Sequence, residues 1–175
     1  VSTVFGLYIL MIMLRFLLAA VRADFYNPVS QFLVKVTNPV LIPLRKIIPS
    51  VGKIDTSALL SMVMLEMISF ALIGLLRGGS LAFGSLLVLA IAELIGLLLN
   101  VFLCSILIQV ILSWINPGTY NPVVSLLYSI TEPLLKPCRR LLPPMSGIDF
   151  SPIIALIGIQ LAKMLILPPL FQLAQ

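Results

Sequence analysis

The chain has 175 residues, of which 61% are hydrophobic and 10% charged, and its formal net charge is +5. A soluble domain of this size needs a polar skin of roughly 25% charged residues, so the composition excludes an ordinary water-soluble globule and points to lipid as the solvent. There is no His, and the two Cys lie apart, Cys104 in an apolar run and Cys138 in a basic segment; no zinc spacing, disulfide framework or cofactor-ligating pattern results.

The first expected membrane span runs from Val1 to Val21, with Arg15 inside it. Val1 already sits in apolar sequence, so the natural start is expected upstream; no signal-peptide layout is visible. The linker Arg22 to Asp55 follows. Its stretch Phe32 to Leu44 stays apolar with polar residues at intervals, which suits short helices lying in the membrane interface. Pro39, Pro43 and Pro49 are expected to break these helices into pieces. The second span runs from Thr56 to Leu76 and contains Glu66. The apolar stretch Leu81 to Trp114 has 34 residues, too many for one ordinary crossing, and Glu93 divides it. Ser80 to Ala92 is read as a short interfacial or re-entrant piece and Leu94 to Trp114 as the third span; one long tilted and kinked helix is the rival reading. The linker Ile115 to Asp149 repeats the character of the first, with Pro133, Pro137 and Pro143. The fourth span runs from Ser151 to Leu170, with Gln160 and Lys163 inside. Each span is about the length that a ~30 Å hydrocarbon core requires at ~1.5 Å per residue. Trp114, Tyr26, Tyr120 and Tyr128 fall near span ends and read as interfacial belt aromatics. Gly74-x-x-x-Gly78 has a helix-packing spacing, and its place at the end of a span also suits shaping the turn.

The two linkers match at a fixed offset of 94 residues without a gap. Asn27-Pro28-Val29 aligns with Asn121-Pro122-Val123, Thr37-x-Pro39 with Thr131-x-Pro133, and Pro43-x-Arg45-Lys46 with Pro137-x-Arg139-Arg140. Pro49 aligns with Pro143, and Ile54-Asp55-x-Ser57 with Ile148-Asp149-x-Ser151. Most matched residues are Pro, Asn, Asp and Arg, so hydrophobic bias does not explain them. The chain thus divides into a first copy, residues 1–79, and a second, residues 80–175. Two spans separate equivalent points, so both linkers are expected on one side of the membrane, as a parallel duplication about an axis along the membrane normal. Eight of the eleven Lys and Arg fall in the linkers, which the positive-inside rule assigns to the cytoplasm. Both termini and the Arg77 turn then face outward.

Several groups carry potential chemistry. Arg45, Lys46, Arg139 and Arg140 form two basic clusters, suited either to topological anchoring or to binding anionic headgroups or an acidic partner. Asp55 and Asp149, each just before a span, read as helix N-caps, with cation-binding carboxylates as the alternative. Arg15 and Glu66 lie ~10 and ~16 Å deep, and the repeat places them opposite Gln109 and Gln160. An isolated intramembrane charge costs ~3 kcal/mol or more. The expectation is therefore that Arg15 faces Glu66 and Gln109 faces Gln160; the alternative is that these groups line an ion or proton path. Glu93 and Lys163 have no assigned mate. No catalytic residues, metal ligands or cofactor site are expected, and no direct nucleic-acid binding.

The duplicated Asn-Pro, Thr-x-Pro, Pro-x-Arg-[Lys/Arg], Pro and Ile-Asp-x-Ser pattern resembles the YggT (YlmG) family. Ala23-Asp24-Phe25-Tyr26-Asn27-Pro28 and the run Leu141 to Pro152 look like its gammaproteobacterial two-repeat branch. The resemblance covers nearly the whole chain. It implies a bacterial inner-membrane protein, and relatives have been linked to osmotic and potassium tolerance, to cell division or nucleoid organisation, and to plastid cytochrome assembly. The expectation is an all-α polytopic membrane protein with about four transmembrane helices plus interfacial helices. Two functions stay open: a non-enzymatic scaffold or assembly factor contacting lipids and a protein partner or second copy, and an oligomeric small channel or transporter.

Overall fold

A computed structural model describes residues 2–48, 55–79, 81–115, 121–141 and 149–174. Pro49, Lys53, Ile54, Tyr120, Pro143 and Ile148 lie outside the described residues. Six helices follow in order: α1 Ser2–Ala20, α2 Pro28–Ile47, α3 Thr56–Leu76, α4 Phe83–Ile115, α5 Pro122–Leu141 and α6 Ser151–Leu173. The fold is all-α, and α1, α3, α4 and α6 are long and apolar enough to cross a membrane. These four have apolar residues on every side, as lipid-facing helices should. In α2 and α5 the apolar residues instead gather on one stripe.

That stripe explains where α2 and α5 lie. On α2, Ser30, Leu33, Thr37 and Leu41 are buried; on α5, Leu126, Ile130, Thr131 and Leu135 are. The spacing of three and four residues puts each set on one face of a helix. Asn27 starts α2 by accepting the Val29 N–H on Oδ1 at 2.9 Å, and Asn121 starts α5 through the Val123 N–H at the same distance. Each is followed by Pro at the first helical position, where no N–H is needed. The internal prolines do not break these helices, contrary to the sequence expectation: Pro39 and Pro43 sit inside α2, and Pro133 and Pro137 inside α5. All four are exposed. A proline frees the carbonyl four residues earlier on its own face, and here that face is exposed rather than packed against the bundle.

The second departure is α4. Residues 83–115 form one continuous helix of 33 residues rather than a short piece followed by a crossing. No proline interrupts it, and Glu93 is a good helix former. Its ~50 Å length exceeds the ~30 Å hydrocarbon core, so it must tilt or protrude.

The spans pack as an open row. Within each copy the first span packs on the second, α1 on α3 and α4 on α6; α3 on α4 joins the copies. Among the described residues α1 and α6 make no contact, although a closed two-fold arrangement would bring them together. The main core gathers Ile9, Ile12 and Met13 of α1 with Leu41, Met62, Val101 and Ile130 from four other helices. The amphipathic helices α2 and α5 touch at one end of the bundle, where Asn27 Nδ2 donates to the Pro122 carbonyl at 2.7 Å. The linkers therefore share an end. At the other end, Gly78 closes α3 with φ of 76°, and Gly79 N–H returns to the Gly74 carbonyl at 3.0 Å. Gly74 and Gly78 thus shape the turn. A Cβ at Gly78 would meet no atom, so its requirement is conformational. Gly78→Ala should lower stability by about 1 kcal/mol and Gly79→Ala by much less, measured by unfolding in mild detergent.

Candidate functional site

The linker ends build one polar joint per copy. In the first, Asp55 is the N-cap of α3: its Oδ1 accepts the Ala58 N–H at 3.2 Å, while its Oδ2 pairs with Arg45 from the last turn of α2. Ser57 Oγ donates to the Ile48 carbonyl at 2.7 Å. Asp55 is buried. In the second copy Asp149 Oδ2 accepts from Arg139 Nε at 3.0 Å, and Oδ1 accepts the Ser151 N–H at 2.9 Å. Here the N-cap position of α6 is Phe150, so Asp149 acts one residue before the expected place. Burial alone would push the Asp149 carboxyl up, but hydrogen bonds from Ser151 and Arg139, with the nearby Arg139 charge, overcome it and hold the group below its ordinary value of 3.8. Arg139 Nη1 also donates to both Glu132 oxygens, at 2.9 and 3.2 Å.

Sequence reasoning missed these clasps. It read Arg45 and Arg139 as topological anchors or as ligands for headgroups or an acidic partner, and Asp55 and Asp149 as N-caps or cation-binding carboxylates, and never paired the two sets. The available signal was the equal spacing: in both copies the Arg precedes the Asp by ten residues. Of the two basic clusters, Lys46 and Arg140 remain exposed and unclasped.

The intramembrane groups take different partners from those expected. Arg15 turns to α2, not to Glu66: its Nη1 donates to Thr37 Oγ1 at 2.6 Å, Asn38 Oδ1 at 2.9 Å and the Val34 carbonyl at 3.3 Å. Among the described residues no ion pair joins Arg15 to Glu66. Gln109 likewise faces α5 rather than Gln160: its Oε1 accepts from Thr131 Oγ1 at 2.5 Å. Gln160 is exposed on α6. The physical reason is proximity in chain order. The amphipathic helix folds back on the span that precedes it, and its buried threonine offers a nearer partner than the next span does. Glu66 and Glu93 are each ten residues from the turn-side end of their helices and interact electrostatically. Lys163 Nζ donates to Asn100 Oδ1 at 2.7 Å, tying α6 to α4.

A cavity of ≈ 190 Å³ lies between α1 and α2, and both Arg15 and Arg45 line it.

Two outcomes follow. A double-mutant cycle on Arg15→Gln with Thr37→Val should show coupling of about 0.5–3 kcal/mol, and Arg15→Gln with Glu66→Gln should be additive. The Asp149–Arg139 clasp is partly exposed and should contribute under about 1 kcal/mol. Because the folded carboxyl is held down, that contribution is complete above its ordinary value of 3.8 and fades as pH falls through the lower folded value. A pH series of thermal stability with Asp149→Asn should lose this acid-limb component.

The CCB3/YggT family pattern matches in two segments, residues 1–76 and 88–170. A Pseudomonas aeruginosa protein is 44% identical over 170 residues, spanning 95% of this chain and 85% of the relative. YggT of Escherichia coli K12 is 38% identical over 172 residues, spanning 93% and 85%. The ycf19 protein of Guillardia theta is 41% identical over 63 residues, spanning 35% of this chain and 69% of the relative. No solved structure matches. With both copies inside the matched segments and relatives aligned along most of its length, this multi-pass membrane chain belongs to the CCB3/YggT family.

Proposed function

We propose that the protein is a non-enzymatic inner-membrane scaffold. Four spans hold it in the bilayer, and α2 and α5 form a platform on the cytoplasmic face. The observation that carries this reading is that both linkers fold as 20-residue amphipathic helices at the same end of the bundle, each with basic residues in its last turn. Their apolar stripes are used internally, so the outward faces are free to meet headgroups or a partner. The concentration of Lys and Arg in the linkers supports the cytoplasmic assignment. Lys46 and Arg140 would contact anionic headgroups or an acidic partner complex, each gaining about 1 kcal/mol near an anionic leaflet.

One observation favours a second reading. Glu93, Asn100 and Gln160 are exposed on helices that face lipid, beside the half-buried Glu66 and Lys163. Polar groups at such depth call for water or another polypeptide. A second copy covering this face could enclose a path for cations, which suits a role in osmotic or potassium stress. Liposome flux separates the two. Reconstituted protein should leave potassium and proton permeability at the level of empty vesicles. Robust flux abolished by Glu66→Gln or Glu93→Gln would overturn the scaffold reading in favour of a channel.

A further inference from the structure

The two copies share a backbone plan but not a charge plan. In the second copy, one guanidinium, Arg139, is met by two carboxylates, Asp149 and Glu132. In the first copy Asn38 stands in the place of Glu132, and Arg15 in the place of Gln109. Two guanidiniums, Arg15 and Arg45, therefore share one carboxylate, Asp55, and Asp55 is paired with Arg45. The two arginines are close enough to repel each other. Arg15 is 9% exposed, and all three of its acceptors on α2 are neutral. A guanidinium has five N–H donors. Among the described residues the bonds of Arg15 all run through Nη1, which leaves Nη2 and Nε for the cavity that Arg15 and Arg45 line.

A buried cation with neutral partners and a second cation facing the same space is a site short of one negative charge. We propose that the α1–α2 cavity of the first copy binds a phosphate-type anion, supplied by an acidic phospholipid headgroup. Arg15 and Arg45 hold the phosphate oxygens through charge-assisted hydrogen bonds. Leu18, Leu33 and Phe25 give the apolar wall that the start of an acyl chain needs. At ≈ 190 Å³ the space is smaller than the ~300–1,000 Å³ of pockets for drug-sized ligands and fits a single headgroup. Arg15 lies five residues from the end of α1, so the cavity is within about 10 Å of the platform-side end of that helix, in reach of a headgroup. In the second copy Glu132 supplies the missing charge internally. That copy binds no anion here.

The inference rests on the scaffold reading only in placing the platform beside an anionic leaflet. The test is native mass spectrometry of the full chain released from phosphatidylethanolamine nanodiscs containing phosphatidylglycerol. Wild type should retain one phosphatidylglycerol. Asn38→Glu copies the second copy's own solution, so it should fold while weakening retention on the order of tenfold or more. Arg15→Gln should do the same, and Gln109→Glu, in the other copy, should not. Thermal stability in lipid-free detergent with added inorganic phosphate separates the sources. A shift in wild type that Asn38→Glu removes, with no phosphatidylglycerol retained, would assign the site to free anion rather than lipid. Equal phosphatidylglycerol retention by wild type and Asn38→Glu, with no phosphate shift, would overturn the proposal and leave the scaffold reading standing. Ion flux from liposomes would sink the scaffold reading and leave the site standing.

Discussion

Everything at the platform end depends on how an amphipathic helix is held against the span before it. The holding contact is a threonine buried completely in each copy, Thr37 and Thr131. Thr37 accepts from Arg15 and donates to the Leu33 carbonyl; Thr131 reaches both Gln109 and the Leu127 carbonyl. A buried hydroxyl or guanidinium without a partner costs about 1–3 kcal/mol or more, and lipid offers no water as a substitute. Thr37 accepts and donates at once, and the single Thr131 O–H lies between two acceptors; in each copy the contact fixes the helix in rotation and in register. Once the threonine is placed, Leu41 and Leu135, one turn further on, enter the core, and the exposed prolines and basic residues are turned outward. The Arg–Asp clasps then tie the far end of each amphipathic helix to the start of the next span.

The duplication keeps this geometry and lets the charge vary. Threonine, the capping asparagine, the clasp arginine and its aspartate occur in both copies. What differs is the group that meets the threonine, charged at Arg15 and neutral at Gln109, and the residue after the threonine, neutral at Asn38 and charged at Glu132. The two exchanges are reciprocal in position and opposite in sign. They leave the first copy with surplus positive charge beside its clasp and the second self-neutralised. The copies also pack asymmetrically: α3 meets α4, but α1 does not meet α6 among the described residues, and Asn27 reaches Pro122 as an additional link. The two copies thus share a shape and differ in charge.

Much of this architecture was legible in the chain itself. Four apolar segments gave the spans, and the fixed offset placed both linkers at one end. Asp55 as a cap followed from its position before an apolar run. The failures share a cause. A proline was read as a helix breaker because propensity treats every position alike, yet Pro39 and Pro133 sit on exposed faces where a freed carbonyl is not buried against a neighbour. Length and the charge of Glu93 divided residues 81–114, but glutamate is a good helix former and tilt absorbs the surplus length. Arg15 was matched with Glu66 because opposite charges attract strongly at low dielectric. Pattern reasoning could not weigh a threonine and an asparagine on a helix not yet known to fold back. The Arg–Asp clasps needed the same missing knowledge of where the end of α2 lies.

The account stands on α2 and α5 being unbroken helices docked at one membrane face. Single cysteines placed along 30–43 and 124–137, in a background without Cys104 and Cys138, can be probed in sealed vesicles with a membrane-impermeant thiol reagent. Positions 31, 35, 39 and 43 should label, and 33, 37 and 41 should be protected, with the helical period continuing through Pro39. The second linker should repeat that pattern from the same side. Loss of the period at Pro39 or Pro133, or labelling of the two linkers from opposite sides, would contradict the account.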